Sequence, residues 1–397
     1  MRRLLIVIAA LALVAAACGD SSSDTTSGSS DGTVATTEAP AEGAQAMADA
    51  CALGETDGDL NLYNWTEYIP YGSIAEDAEV TDLLAAFEEE FGVSVVLTEY
   101  DSNETMLAQI DAGVGYDLIV PSDYMVSIMK SADLLVKLNP DTIPNLSNIA
   151  DEFTDLPYDP GNQYSVPYQW GTTGIGYAYG AIDDEDGVSW GVIFDQDMAA
   201  PNAGFISLLD DERETMGAAL IYLGYSINTT NEAEVDEAAA LIKETKDWIG
   251  SFNSAGYWDL LTTGETVVAQ GWNGDFLFAY DEASTDDYDA YEEFGYAIPV
   301  EGAAAWVDTM AVPVTAEHPC TAQTFINFIL DPFYGGELTN YNYYASPNAA
   351  AEEFIWEEIL EWEAIYPPPE VVDRLEFFAD LGDFGNYYAD AYSAAKS

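Results

Sequence analysis

The chain has 397 residues, of which 72 are acidic and 9 basic, for a formal net charge of −63, and 49% are hydrophobic and 13% aromatic. That length suffices for two ordinary domains or one large one, and the apolar fraction can build a core despite the charge. So few Lys and Arg residues argue against nucleic acid, phosphate and other polyanions as partners, and against amino acids, whose carboxylates are commonly gripped by Arg. The acids occur everywhere, so the charge reads as a solvated surface suited to high salt and says nothing about a cationic ligand.

Arg2 and Arg3, the apolar run Leu4 to Ala17 and the small residues Ala15-Ala16-Ala17 before Cys18 predict a signal peptide over 1–17. The run is short for a membrane span. A cysteine directly after the small residues reads as a bacterial lipobox, with Cys18 the lipidated N-terminus, against an ordinary secretory cleavage that leaves Cys18 incidental. Residues 18–57 are rich in Ser, Thr, Asp, Gly and Ala and predict a flexible linker with a reach of about 35 Å. The expected address is extracytoplasmic, at the outer face of the cytoplasmic membrane, with the lipid anchor as the only membrane contact. In that oxidising compartment Cys51 and Cys320 form an even pair and are expected to be bonded rather than free.

From Leu60 the pattern predicts a strand running into a loop, Asn61-Leu62-Tyr63-Asn64-Trp65-Thr66-Glu67-Tyr68-Ile69-Pro70, which displays aromatic and polar groups at its carboxyl end. A helix over Val80–Phe91, a strand over Val93–Tyr100, a helix over Asn103–Ala112, a strand over Tyr116–Val120 and a helix after Tyr124 follow, which implies a mostly parallel sheet wrapped by helices. Residues 138–168 are expected to be mostly irregular, and Gly171 to Tyr177 a strand crossing between lobes. Strand Ile206–Leu209, helices Glu212–Leu223 and Glu232–Trp248 and strands Val267–Gln270 and Tyr296–Ile298 suggest a second α/β lobe. Ala304–Val314 could cross back, and helices near Ala322–Leu330, Glu352–Trp362 and Val371–Phe378 end the chain.

Catalytic machinery is sparse. His318, the single histidine, lies between Glu317 and Pro319, with no Ser or Cys nucleophile in a recognisable setting. Paired carboxylates could run glycoside hydrolysis, yet 72 acids make such pairs easy to find. Asp183-Asp184-Glu185-Asp186-Gly187 resembles a calcium loop only in composition and reads as a solvated turn, so no metal site is expected. Four stretches repeat the chemistry of the opening loop: Asp210-Asp211-Glu212-Arg213-Glu214, Trp272-Asn273-Gly274-Asp275, Trp306-Val307-Asp308 and Tyr343-Tyr344. Alone, Asp211 and Glu214 have capping-box spacing, and a single aromatic is more often core than cage. The repeated pairing of Trp or Tyr with a carboxylate at strand ends is what selects them as a set, because aromatic faces beside carboxylates suit an organic ammonium ion.

These stretches, with Tyr100-Asp101-Ser102-Asn103-Glu104-Thr105-Met106, Tyr116 to Ser122 and Leu223-Gly224-Tyr225-Ser226, resemble the spermidine/putrescine-binding proteins of bacterial ABC transporters from about Leu60 onward. The resemblance implies a binding protein without catalysis or cofactor. Its fold would be the type II periplasmic-binding-protein α/β fold, two lobes joined by crossover strands and closing over a polyamine for delivery to a permease. Its implied lobes are 58–173 with 308–351, and 174–307 with 352–397. Carried over by motif, Trp65, Tyr68, Tyr124, Trp272, Trp306 and Tyr344 become aromatic walls. Asp211, Glu214 and Asp308 become amine-binding acids, and Thr66, Ser122 and Ser254 hydroxyl contacts. Asp275 stands where spermidine binders tend to have Ser and putrescine binders Asp, and Phe378 falls where spermidine binders use a Gln, so the choice of polyamine stays open. Glu67 is expected to point away from the site. Other readings are a different organic cation on the same fold, a secreted carboxylate-dependent glycosidase, and an acidic surface lipoprotein that buffers cations.

Overall fold

The computed structural model describes residues 40–183, 187–285 and 287–397. The signal peptide, Cys18, the linker as far as residue 39 and residues 184–186 of the acidic turn lie outside them.

Ten strands in one sheet carry the described chain: β1 (Leu60–Trp65), β2 (Val95–Tyr100), β3 (Leu118–Ile119), β4 (Ser165–Ala178), β5 (Ile206–Leu208), β6 (Ser251–Phe252), β7 (Val268–Trp272), β8 (Phe294–Ala297), β9 (Ala303–Ala311) and β10 (Leu375–Phe377). The order is β2-β1-β3-β9-β4-β7-β5-β6, with β10 beside β9 and β8 beside β4. Two parallel wings, β2-β1-β3 and β7-β5-β6, therefore flank a long antiparallel pair, β4 and β9. Parallel strands need helical crossovers, and the sequence supplies them with clear stops. Helix Leu83–Phe91 opens on Asp82, which accepts from Ala85 N, and closes on Gly92 at φ 71°. Helix Glu212–Leu223 opens on Asp211 and closes on Gly224 at φ 82°. Left-handed glycine after the last turn is the usual stop, since any Cβ would be strained there.

The first wing buries Leu60, Leu62, Leu83, Phe87 and Leu118 against Phe325 and Phe328. A second core runs from Tyr63, Tyr100 and Ile175 to Leu208, Met216, Leu220, Val235 and Tyr388, and a third gathers Tyr257, Leu277, Tyr280, Ile355 and Ile359. Each such side chain contributes about 1.5–3 kcal/mol by leaving water.

The β4–β9 ladder carries one irregularity. Pro167 pairs Thr309 but Gln169 pairs Asp308, so Tyr168 is an extra residue on β4. At Gly171, opposite Trp306, an added Cβ would stand 2.6 Å from the indole. Only glycine lets that ring, and the Asn273 side-chain oxygen 2.5 Å from the same Cβ position, approach the strand so closely.

Several expectations are corrected. The linker does not extend to Asp57, because Pro40–Ala50 is a helix whose Ala44 and Ala48 are buried, packed on the helix Pro319–Ile329. Val371–Phe378 is not a helix. Pro369 starts a single turn that ends at Val372, and Leu375–Phe377 join the sheet as β10. Glu352–Trp362 breaks into a 3₁₀ stretch over Ala349–Phe354 and one turn over Glu357–Leu360. The Asn340 side chain accepts from Trp356 N and donates to Phe354 O, pulling that backbone out of helical geometry. Helices Asn273–Ala283, Pro332–Asn342 and Gly385–Lys396 were not foreseen.

Cys51 and Cys320 form a disulfide with Cα atoms 5.3 Å apart, closing a separation of 269 residues. Constraining so long a segment of the unfolded chain is worth about 3 kcal/mol or more in the loop-entropy account. Cys51→Ser with Cys320→Ser should therefore lower the urea midpoint clearly. Neither residue lines the cavity described next, so ligand affinity should not change; an unchanged midpoint would show the bond to be energetically idle.

Candidate functional site

A cavity of about 230 Å³ opens where the carboxyl ends of β1, β5 and β7 converge on β9, the place an open α/β sheet offers a ligand. All thirteen residues singled out from the sequence line it: Trp65, Thr66, Tyr68, Ser122, Tyr124, Asp211, Glu214, Ser254, Trp272, Asp275, Trp306, Asp308 and Tyr344.

Asp308 is the most elaborately held. Alternation along β9 puts Trp306 and Asp308 on one face. Ser122 Oγ donates to Asp308 Oδ1 at 2.6 Å and Tyr68 OH donates to Oδ2 at 2.9 Å. The Asp308 carboxyl is pushed up to about 7 by burial, against the pull of those two donors. Ser122 is itself fixed by Asn103, which donates to its hydroxyl and accepts from its backbone N–H. Such preorganised donors keep a buried carboxylate in place without supplying a counter-charge.

Three further acids share the space. Asp275 accepts from the hydroxyls of Tyr257 and Tyr344, and burial raises it to about 6. Its neighbour Gly274 has no side chain because Tyr344 would stand 2.6 Å from a Cβ there. Glu214 accepts from the Trp272 indole at 3.0 Å, and burial followed by repulsion from Asp211 raises it to about 8. Asp211 takes the backbone N–H groups of Arg213 and Glu214, so it caps its helix and lines the cavity at once. The capping-box spacing is only half realised, since Glu214 turns its carboxylate to Trp272.

The aromatic rings form connected walls. Trp65 donates its indole N–H to Val120 O and meets Trp272 edge-on at 6.4 Å. Tyr344 stands edge-on to both Tyr68 and Trp306, at 5.4 and 5.1 Å. Tyr124 donates to Glu104. Thr66 lies at the exposed end of β1, its hydroxyl 3.4 Å from Tyr100 O. The Ser254 hydroxyl is buried without a hydrogen-bond partner.

Glu67 is a correction. It has φ 55°, a left-handed conformation that interrupts strand alternation, and it lines the cavity instead of turning away. Burial raises its carboxyl, helped by Asp259, Glu99 and Glu282. Arg213 was missed. The residue is 7% exposed, and its guanidinium lies 5.0 Å from the Phe378 ring centroid and donates to Ala379 O and Asn228 Oδ1. A single basic residue inside an acidic helix start was the available signal. Tyr100, Asp101, Asn103, Trp258 and Phe378 also line the cavity, and the motif Tyr100 to Met106 already marked the first three. Among the described residues no group of three or more His, Cys, Asp and Glu is placed to hold a metal ion, and no helix is long and apolar enough to cross a membrane.

A ligand-sized cleft at the carboxyl ends of strands from two wings of one sheet is a small-molecule site, and the fold around it is that of the type II periplasmic solute-binding proteins. Residues 82–364 match the family of bacterial extracellular solute-binding proteins. The chain is 32% identical to the spermidine/putrescine-binding periplasmic protein of Escherichia coli, over 90% of this chain and 97% of that one. It is 37% identical to the putrescine/cadaverine-binding protein of Pseudomonas aeruginosa, over 81% and 88%. A solved lipoprotein of Treponema pallidum superposes with a TM-score of 0.70 at 32% identity, over 85% of this chain and 98% of that one. The chain belongs to the spermidine/putrescine-binding family of bacterial extracellular solute-binding proteins, which are transport proteins and not enzymes.

Proposed function

We propose that this protein captures a polyamine, putrescine or spermidine, outside the cytoplasmic membrane and delivers it to the permease of an ABC importer. The observation that carries the reading is Asp308: a buried carboxylate held by two neutral hydroxyl donors at the base of a tryptophan- and tyrosine-walled cavity. An ammonium ion supplies the missing counter-charge, and charge-assisted hydrogen bonds replace the water it loses. Each ring adds roughly 0.5–2 kcal/mol of cation–π attraction. Asp275, Glu214 and Asp211 supply partners for a second ammonium, while Thr66, Ser122 and Ser254 offer hydroxyls. The named relatives, described as binding spermidine, putrescine or cadaverine, support the same ligand class.

Delivery rests on lobes 58–173 with 308–351 and 174–307 with 352–397 closing over the ligand, so that contacts from both stabilise the form a permease recognises. Cys18 is the proposed lipid attachment, with residues 18–39 as the tether. The lipoprotein relative from Treponema pallidum is in keeping with that. Calorimetry with putrescine, spermidine and glutamate tests the ligand: one-to-one binding of at least one amine is expected, and none of glutamate. No heat with either amine at millimolar concentration sinks the reading.

A further inference from the structure

We infer that Asn103 is a positioning residue for ligand capture: its amide holds the Ser122 hydroxyl in the orientation that donates to Asp308. This rests on Asp308 being the ammonium partner proposed above.

A serine hydroxyl has one proton and can also accept. Asn103 Nδ2 donates to Ser122 Oγ at 3.0 Å, so the serine proton is directed elsewhere, and Asp308 Oδ1 waits at 2.6 Å. The amide cannot be reversed. Its oxygen accepts from Ser122 N at 3.1 Å, and a backbone N–H can only donate. Ser122 is additionally bridged to Asp308 through the backbone, and Thr309 N donates to Pro121 O, which fixes the spacing of the two chains.

Asn103 has no helix-capping duty to explain its burial. Ser102 caps that helix by accepting from Thr105 N, leaving Asn103, 5% exposed, with both ends of its side chain on Ser122. A buried amide is costly unless fully hydrogen-bonded. Here it is spent on one neighbour, and that neighbour's only proton reaches the carboxylate. With Ser122 on one oxygen and Tyr68 on the other, each Asp308 oxygen keeps a lone pair for an ammonium. Tyr100, Tyr158, Tyr168 and Asp123 also feel the Asp308 charge, and none is a cation; Arg213, the cation that lines the same cavity, gives its guanidinium to Ala379 O and Asn228 Oδ1.

Two variants separate the relay from general packing. Asn103→Ala removes the donor. Asn103→Asp keeps the shape and the acceptor for Ser122 N but draws the serine proton away from Asp308. In ligand-free protein, ¹³C carboxyl NMR, with Asp308→Asn identifying the resonance, should show the Asp308 midpoint moving up by about one pH unit in both. Putrescine affinity at pH 7 should fall about 10-fold in Asn103→Ala. In a Ser122→Ala background Asn103→Ala should not move the midpoint further, whereas Asn103→Asp should keep only the repulsion between its carboxylate and Asp308. An unchanged midpoint in both variants, or an Asn103→Ala shift that persists without the serine hydroxyl, overturns the relay. Because the NMR readout needs no ligand, it decides the relay even if no amine binds, an outcome that would instead overturn the proposed function.

Discussion

Asp308→Asn should weaken polyamine binding by about 30-fold or more, measured by calorimetry at pH 8. Removing one partner of a buried, hydrogen-bonded charge pair costs about 2–5 kcal/mol, much of it from the charge left unpaired. The substitution keeps the shape but puts an NH₂ group against either Ser122 Oγ or Tyr68 OH, both of which now donate to the carboxylate. The effect on the empty protein should run the other way. Burial raises the Asp308 carboxyl to about 7, so at pH 8 the ionised group destabilises the unliganded fold. The variant should therefore melt no lower than the wild type at that pH. Affinity within 3-fold of wild type would remove Asp308 from the binding site.

The second large effect is with pH. Asp275, Asp308 and Glu214 stand at about 6, 7 and 8, all raised above the ordinary carboxylate range chiefly by burial. At pH 6 most of these groups are neutral, whereas an aliphatic ammonium, with a pKa of about 10, stays charged throughout. Binding must strip protons from the acids it pairs, so affinity should rise by about 10-fold or more between pH 6 and pH 8. Stability of the empty protein has the opposite sign. A carboxyl with a raised folded-state pKa contributes stability that is full below its unfolded value and is lost as pH rises through 6 to 8. The thermal shift produced by ligand should accordingly grow with pH. Calorimetry in buffers of different ionisation heat would count the released protons at pH 7; a flat affinity and no proton release would disprove the linkage.

The parallel wings were legible because their signals are local: the apolar run of β3 and the stop at Gly92 each lie within one element. Helix Glu212–Leu223 was placed to the residue, since Asp211 and Gly224 mark both ends. The cavity residues were legible for a different reason, as motifs that recur in a family, and the structure brings all of them to one space. What failed depends on contacts distant in sequence. Nothing near Trp356 announces that Asn340 will take its N–H, and nothing near Leu375 announces that it will pair Ala303. Glu67 failed because alternation was continued past the strand's last residue into a left-handed turn. Arg213 failed because a charge count treats a lone cation as surface, when here it is buried against Phe378, Tyr124 and Tyr388.

The extra residue on β4 has a consequence of its own. Ladder partners from Ser165 to Pro167 run opposite Ala311 to Thr309, and those from Gln169 onward run opposite Asp308 to Ala304. Tyr168 is thus a change of parity: side chains before and after it that would share a face in an unbroken strand lie on opposite ones. Its own hydroxyl is pinned to Tyr68 O, next to the phenol that holds Asp308. Deleting this one residue would mend the ladder and, in doing so, turn over one end of β4 relative to the other, exchanging the faces on which its side chains lie. The two faces of this crossover strand are therefore written in an odd-or-even count along the backbone as much as in the identity of any side chain.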